Sequence, residues 1–183
     1  MVAAMLPSAP PGVRAPLRPA APRVFESATR PAELVAGRTS PHHREAIAMA
    51  REAKKAGLGQ PELVELADDI ILTQQLEIDD MLGWREEWFG SRKLGRSSAA
   101  GLGLDEDAMG MQHDPGGIAG EGDVDAAFAA AMIPHHEGAI AMAELARDRG
   151  EHPEIRELVE SIISGQGREI EILRPHAGGR HGG

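Results

Sequence analysis

Cysteine is absent from the 183 residues, which excludes disulfides, zinc fingers, Cys-ligated iron–sulfur clusters and thiol catalysis. Any metal must be held by His, Met, Asp, Glu or Gln. Tyrosine is absent too, and aromatics amount to 3%: Trp84, Trp88, Phe25, Phe89 and Phe128. The core must come from Ala, Leu, Ile and Met. That suits closely packed helices and disfavours a β-sandwich or a base-stacking sheet. No apolar run reaches the ~18 residues of a transmembrane helix, so membrane insertion is not expected. The opening, Met1 to Pro7, is too short and too proline-broken for a signal-peptide apolar region. There is no Gly-x-Ser-x-Gly elbow, no phosphate loop and no dinucleotide fingerprint, so the expectation is a non-enzymatic role. A net charge of −10 disfavours nucleic acid or an anionic membrane as the main partner.

What is present changes character near residue 40. Residues 1–39 hold seven of the 13 prolines and carry a net +3, whereas residues 40–183 carry −13. The first segment shows no periodicity and reads as a disordered Pro/Ala/Arg leader. Beyond it lies an internal repeat. Pro41-His-His-Arg-Glu-Ala-Ile-Ala-Met-Ala50 returns as Pro134-His-His-Glu-Gly-Ala-Ile-Ala-Met-Ala143, with eight of ten residues identical. The likeness resumes one residue out of step. Pro61-Glu62 answers Pro153-Glu154, Gln74 answers Gln166, and Glu77-Ile78 answers Glu169-Ile170.

Each copy reads as two helices. In the first, Ser40 is a plausible N-cap, Pro41 suits the first helical position, and Gly57 and Gly59 end the helix. A second helix runs from Pro61 to about Phe89. In the second copy, Asp123 or Asp125 caps a helix that passes through Pro134, and Pro153 opens the last one. Residues 91–122, with eight glycines, read as a loop, and residues 176–183 as a flexible His/Gly tail. The domain is therefore expected over 40–175, with repeats 40–90 and 123–175. Two duplicated hairpins joined by a long connection predict an all-α, ferritin-like four-helix bundle. Hairpins pairing between chains in a homodimer are the runner-up.

Alternating steps of four and three trace one face of each helix. In the second helices the walks are Leu63, Ala67, Ile70, Gln74, Glu77, Met81, Trp84 and Ile155, Val159, Ile162, Gln166, Glu169, Leu173, His176. Gln and Glu interrupt both apolar faces at the same place. A buried carboxylate is costly without a cation, a metal or a proton. The first helices offer partners along His42, Ala46, Met49, Ala53 and His135, Ala139, Met142, Ala146, with His43 and His136 about 100° away around the helix. The candidate metal ligands are thus His42, His43, Met49, Gln74, Glu77, Met81, His135, His136, Met142, Gln166 and Glu169. Met109, Met111 and His113 form a weaker Met-x-Met-x-His set in the loop. Imidazole with thioether and no thiolate points to copper, as Cu(I) or Cu(II), before other metals. The bland alternative is a structural layer in which Gln and Glu hydrogen-bond to His across the bundle. A di-iron oxidase is disfavoured, because no His has a Glu three residues before it.

Met132-Ile-Pro-His-His-Glu-Gly-Ala-Ile-Ala-Met-Ala143, then His152-Pro-Glu-Ile-Arg156 and Gln166-x-x-Glu-Ile170, resembles the bacterial domain-of-unknown-function family numbered 305. Thr73-Gln-Gln and Met81-Leu-Gly-Trp84 look like the first half of the same family. The resemblance implies a ferritin-like helical bundle, usually exported from the cytoplasm, with copper binding in some relatives. Thr39-Ser40 stands where the family has an apolar helical run. The opening half-helix of the first copy is therefore expected to be missing and its site to be the looser one.

Overall fold

The computed structural model describes residues 24–94, 110, 115–147 and 152–178. Among the described residues four α-helices make up the body: α1 Val24–Ala56, α2 Pro61–Phe89, α3 Val124–Arg147 and α4 Pro153–Leu173. No strand occurs among the described residues. The architecture is an all-helical bundle. α1 and α2 form one hairpin, α3 and α4 the other, and the hairpins join chiefly through α1 against α3. α2 and α4 meet only sparsely.

Local sequence explains most boundaries. Pro61 and Pro153 each occupy the first turn of a helix, where the missing N–H costs nothing. Asp123 Oδ1 accepts from the Ala126 N–H at 3.0 Å and caps α3. Asp125 does something else: its Oδ1 accepts from the Gly59 N–H at 2.8 Å, tying the turn of the first hairpin to the second. Gly57, at φ +102°, takes the left-handed conformation that ends α1.

Three boundaries differ from the sequence reading. α1 begins at Val24, not near Ser40, so the leader does not extend to residue 39. Ser40 is therefore no N-cap and Pro41 no first-turn proline; both lie inside α1, as Pro134 lies inside α3. The half-helix expected to be missing is present, with Ala36, Thr39 and Ser40 buried and the Ser40 hydroxyl donating to the Met81 sulfur at 3.9 Å. The loop, too, contains structure. Pro115–Gly120 is a 3₁₀ turn lying on α1 and α3, and its Ile118 enters the core. Finally, His176 is no part of a free tail: it is buried and pairs with Glu62 at the start of α2.

The core falls into two apolar clusters. One gathers Ala46, Met49, Ala53, Leu63, Ile70, Phe128, Met132 and Leu173. The other gathers Ala36, Ile47, Ile78, Met81, Ala139, Ala146, Ile155 and Ile162. On α2, α3 and α4 the two sets are separated by one short stretch each, Gln74 to Glu77, His135-His136 and Gln166 to Glu169; on α1 His42-His43 stands between Ala36 and Ala46, with Ile47 of the second set beyond it. Alanine at the α1–α3 contact lets the two backbones approach closely. Gly167 stands within α4 with open space where a Cβ would go. Gly167→Ala should therefore stabilise the fold by about 0.5–1 kcal/mol. A denaturant midpoint that falls instead would show that this position needs its glycine.

Candidate metal centre

All four imidazoles of the paired histidines are 0% exposed. His42 and His135 face each other across the α1–α3 contact, with ring centroids 3.7 Å apart and planes inclined by 33°. The adjacent His43 and His136 turn outward, each toward the second helix of its own hairpin. His43 Nε2 lies 2.7 Å from Glu77 Oε2 and hydrogen-bonds to it. His136 Nε2 lies 2.7 Å from Glu169 Oε2 in the matching position, although the approach is too far off line for a formed hydrogen bond. The first copy is thus at least as well ordered as the second, contrary to the expectation of a looser site. Its upstream half-helix is in place to hold it.

These contacts have a chemical consequence. An imidazole that gives its Nε2–H to a carboxylate keeps the Nδ1 lone pair free to accept or to ligate. The Nδ1 atoms of His43 and His136 are buried and have no hydrogen-bond partner. This is the arrangement in which a carboxylate orients a metal-ligating histidine and raises its basicity. Glu77 and Glu169, with 16% and 17% of their side chains exposed, occupy the outer position of that arrangement. The sequence walk identified their face but not this role.

Gln74 and Gln166 complete the layer. They are 2% and 4% exposed, and both polar atoms of Gln74 and the carbonyl oxygen of Gln166 lack a protein partner. Each such group costs roughly 1–3 kcal/mol when buried unsatisfied. A layer built only for stability would not carry this many. The methionines are placed as core side chains: Met49 packs with Phe128 and Met132, Met81 lies in the other cluster, and Met142 is buried on α3. Met109, Met111 and His113 lie outside the described residues. Among the described residues no three His, Asp or Glu side chains already stand in metal-holding geometry. The histidines meet ring against ring, so a metal would have to turn imidazoles toward itself.

Two further contacts escaped the sequence reading. His152 stacks on Trp88 at 3.9 Å and links the start of α4 to the end of α2. Gly110 lies against the backbone of Pro134 and His135. Nothing in residue spacing marks either.

The family model described as "Domain of unknown function (DUF305)" matches residues 36–176. The chain belongs to the DUF305 family. Among solved structures it is similar to CopM in the Cu(II)-bound form, at 32% identity and a TM-score of 0.69, over 80% of this chain and 95% of that one. It is similar to CopM in the Cu(I)-bound form at 33% identity and a TM-score of 0.63, over 79% and 93%. A DUF305 fragment from Deinococcus radiodurans, at 24% identity, shares the fold with a TM-score of 0.68 over 83% and 97%. Curated proteins give no match. No described helix of this DUF305 chain is long and apolar enough to cross a membrane.

Proposed function

We propose that this chain binds copper through His42, His43, His135 and His136 and serves to sequester or deliver it outside the cytoplasm. The observation that carries this reading is the pair of matched His–carboxylate contacts, His43 with Glu77 and His136 with Glu169, flanking the His42–His135 contact. Each leaves a buried, unpartnered Nδ1 aimed away from its carboxylate. Neutral imidazole suits copper, zinc, nickel and iron. The copper-bound CopM structures support the same choice of metal. The extracytoplasmic role follows the family resemblance.

Titration of tag-free protein with Cu(I), Cu(II) and Zn(II), each against a competing chelator, tests this. Cu(II) should be retained where Zn(II) is surrendered, as expected from the order of divalent affinities at nitrogen sites. Surrender of copper and zinc alike would leave the histidines as a structural layer that fixes the register of the bundle.

A further inference from the structure

The four histidines are fully buried, so an ion must have a way in. One side of the α1–α3 pair is covered. The 3₁₀ turn Pro115–Gly120 lies on both helices with Ile118 inserted, and Gly110 abuts the Pro134–His135 backbone. The other side is where α2 and α4 stand apart. There a groove of about 380 Å³ runs between them. Liquid water takes about 30 Å³ per molecule, so a cation fits this groove together with its hydration shell. Exposed Leu72 and Ile172 stand on its rim. Gln74, Gln166, Glu77 and Glu169 line it farther in.

We propose that the groove between α2 and α4 is the entrance by which a hydrated metal cation reaches the histidines, with these two amides and two carboxylates as its first resting place. The inference rests on the metal-binding reading given above. Three observations converge on it. The partnerless atoms of Gln74 and Gln166 belong to side chains more than nine-tenths buried that border the groove, and these oxygens can replace water around an incoming cation. Glu77 and Glu169 touch both the groove and the histidines, so a cation held by either carboxylate is one side chain away from an imidazole. The two halves contribute equivalent residues, so the route leads to the middle of the layer, not to one copy. Carboxylate and amide oxygens hold a hydrated ion loosely, and imidazole nitrogen then takes it more tightly once its water is shed.

Gly165 offers a test, because it borders the groove and a Cβ there meets nothing within 4 Å. Gly165→Leu fills the groove without displacing backbone. Gly167→Leu, on the same helix with equally open space but outside the lining, is the control. The full chain is mixed with Cu(II), and loading is followed by quenching with excess chelator at timed intervals. Release is followed in the reverse experiment. Gly165→Leu should slow loading and release alike, by about tenfold or more, with the equilibrium affinity unchanged; this is the signature of an obstructed path, unlike the usual change confined to the off-rate. The control should load like the wild type. Wild-type loading by Gly165→Leu, or equal slowing in both variants, overturns the route while leaving the copper site standing. Weakened affinity with an unaltered release rate also overturns it. A wild-type chain that retains no copper at equilibrium removes the site itself, and the route with it.

Discussion

Replacing His135 and His136 together with alanine is expected to lower copper affinity by more than about 100-fold. Loss of a residue that merely orients a ligand costs about 10–100-fold in metal affinity, and this variant removes two imidazoles themselves. It also leaves His42 without the ring it faces and Glu169 without the imidazole it meets. Stability should change less than affinity. Truncating two buried side chains creates cavities worth a few kcal/mol, but it also removes the His136 nitrogens, which are buried without a hydrogen-bond partner. Glu169, partly exposed toward the groove, can then be hydrated. Alanine is the best helix former, so α3 should persist. Chelator competition reads the affinity, and circular dichroism during a denaturant titration reads the fold. Unaltered copper affinity in this variant would end the assignment of the histidines as ligands.

The layer was legible in the sequence because helical periodicity constrains which side chains share a face. The four-three walks place Gln74 with Ile70 and Met81, and His42 with Ala46 and Met49, and all of these are buried. What periodicity cannot give is the direction of an individual contact. It left Glu77 and Glu169 either as candidate ligands or as hydrogen-bond partners of His, and in the fold they meet the Nε2 atoms of His43 and His136. That distinction depends on the rotation of one ring and is invisible in residue spacing. The start of α1 was missed for a different reason. Residues 24–39 contain Pro31 and lie next to a proline-rich stretch, so local composition argues against a helix. Tertiary packing overrides it. Ala36 joins the apolar cluster of Met81 and Ile155, and Ser40 reaches Met81 itself. Burial against other elements, more than propensity, stabilises most helices in proteins. His176 illustrates the same point at the other end: its neighbours Gly178 and Gly179 suggest a tail, yet its partner Glu62 is 114 residues away in sequence.

Gly110 was likewise indistinguishable in sequence from the other glycines of its segment, and in the fold its position is demanding. Its φ is +67°, a conformation costing roughly 1–2 kcal/mol for a residue with a Cβ. A Cβ there would stand 2.2 Å from the Pro134 carbonyl oxygen and 2.7 Å from the His135 Cα. Both are backbone atoms of α3, so no side chain can swing aside to make room. Overpacking of this kind adds about 1–3 kcal/mol. Gly110→Ala is therefore expected to destabilise the protein by about 2–5 kcal/mol in denaturant titration, a large part of the stability of a domain this size. Gly117→Ala makes the control. Gly117 is exposed, lacks the positive φ, and has nothing within 4 Å of its Cβ position, so its midpoint should stay near the wild-type value. The Gly110 variant should also perturb copper loading, because the clash falls on the Pro134–His135 backbone, which carries the ring that faces His42. If Gly110→Ala and Gly117→Ala unfold at the same midpoint as the wild type, the close approach of Gly110 to α3 is wrong, and the cover assigned to that side of the histidines goes with it.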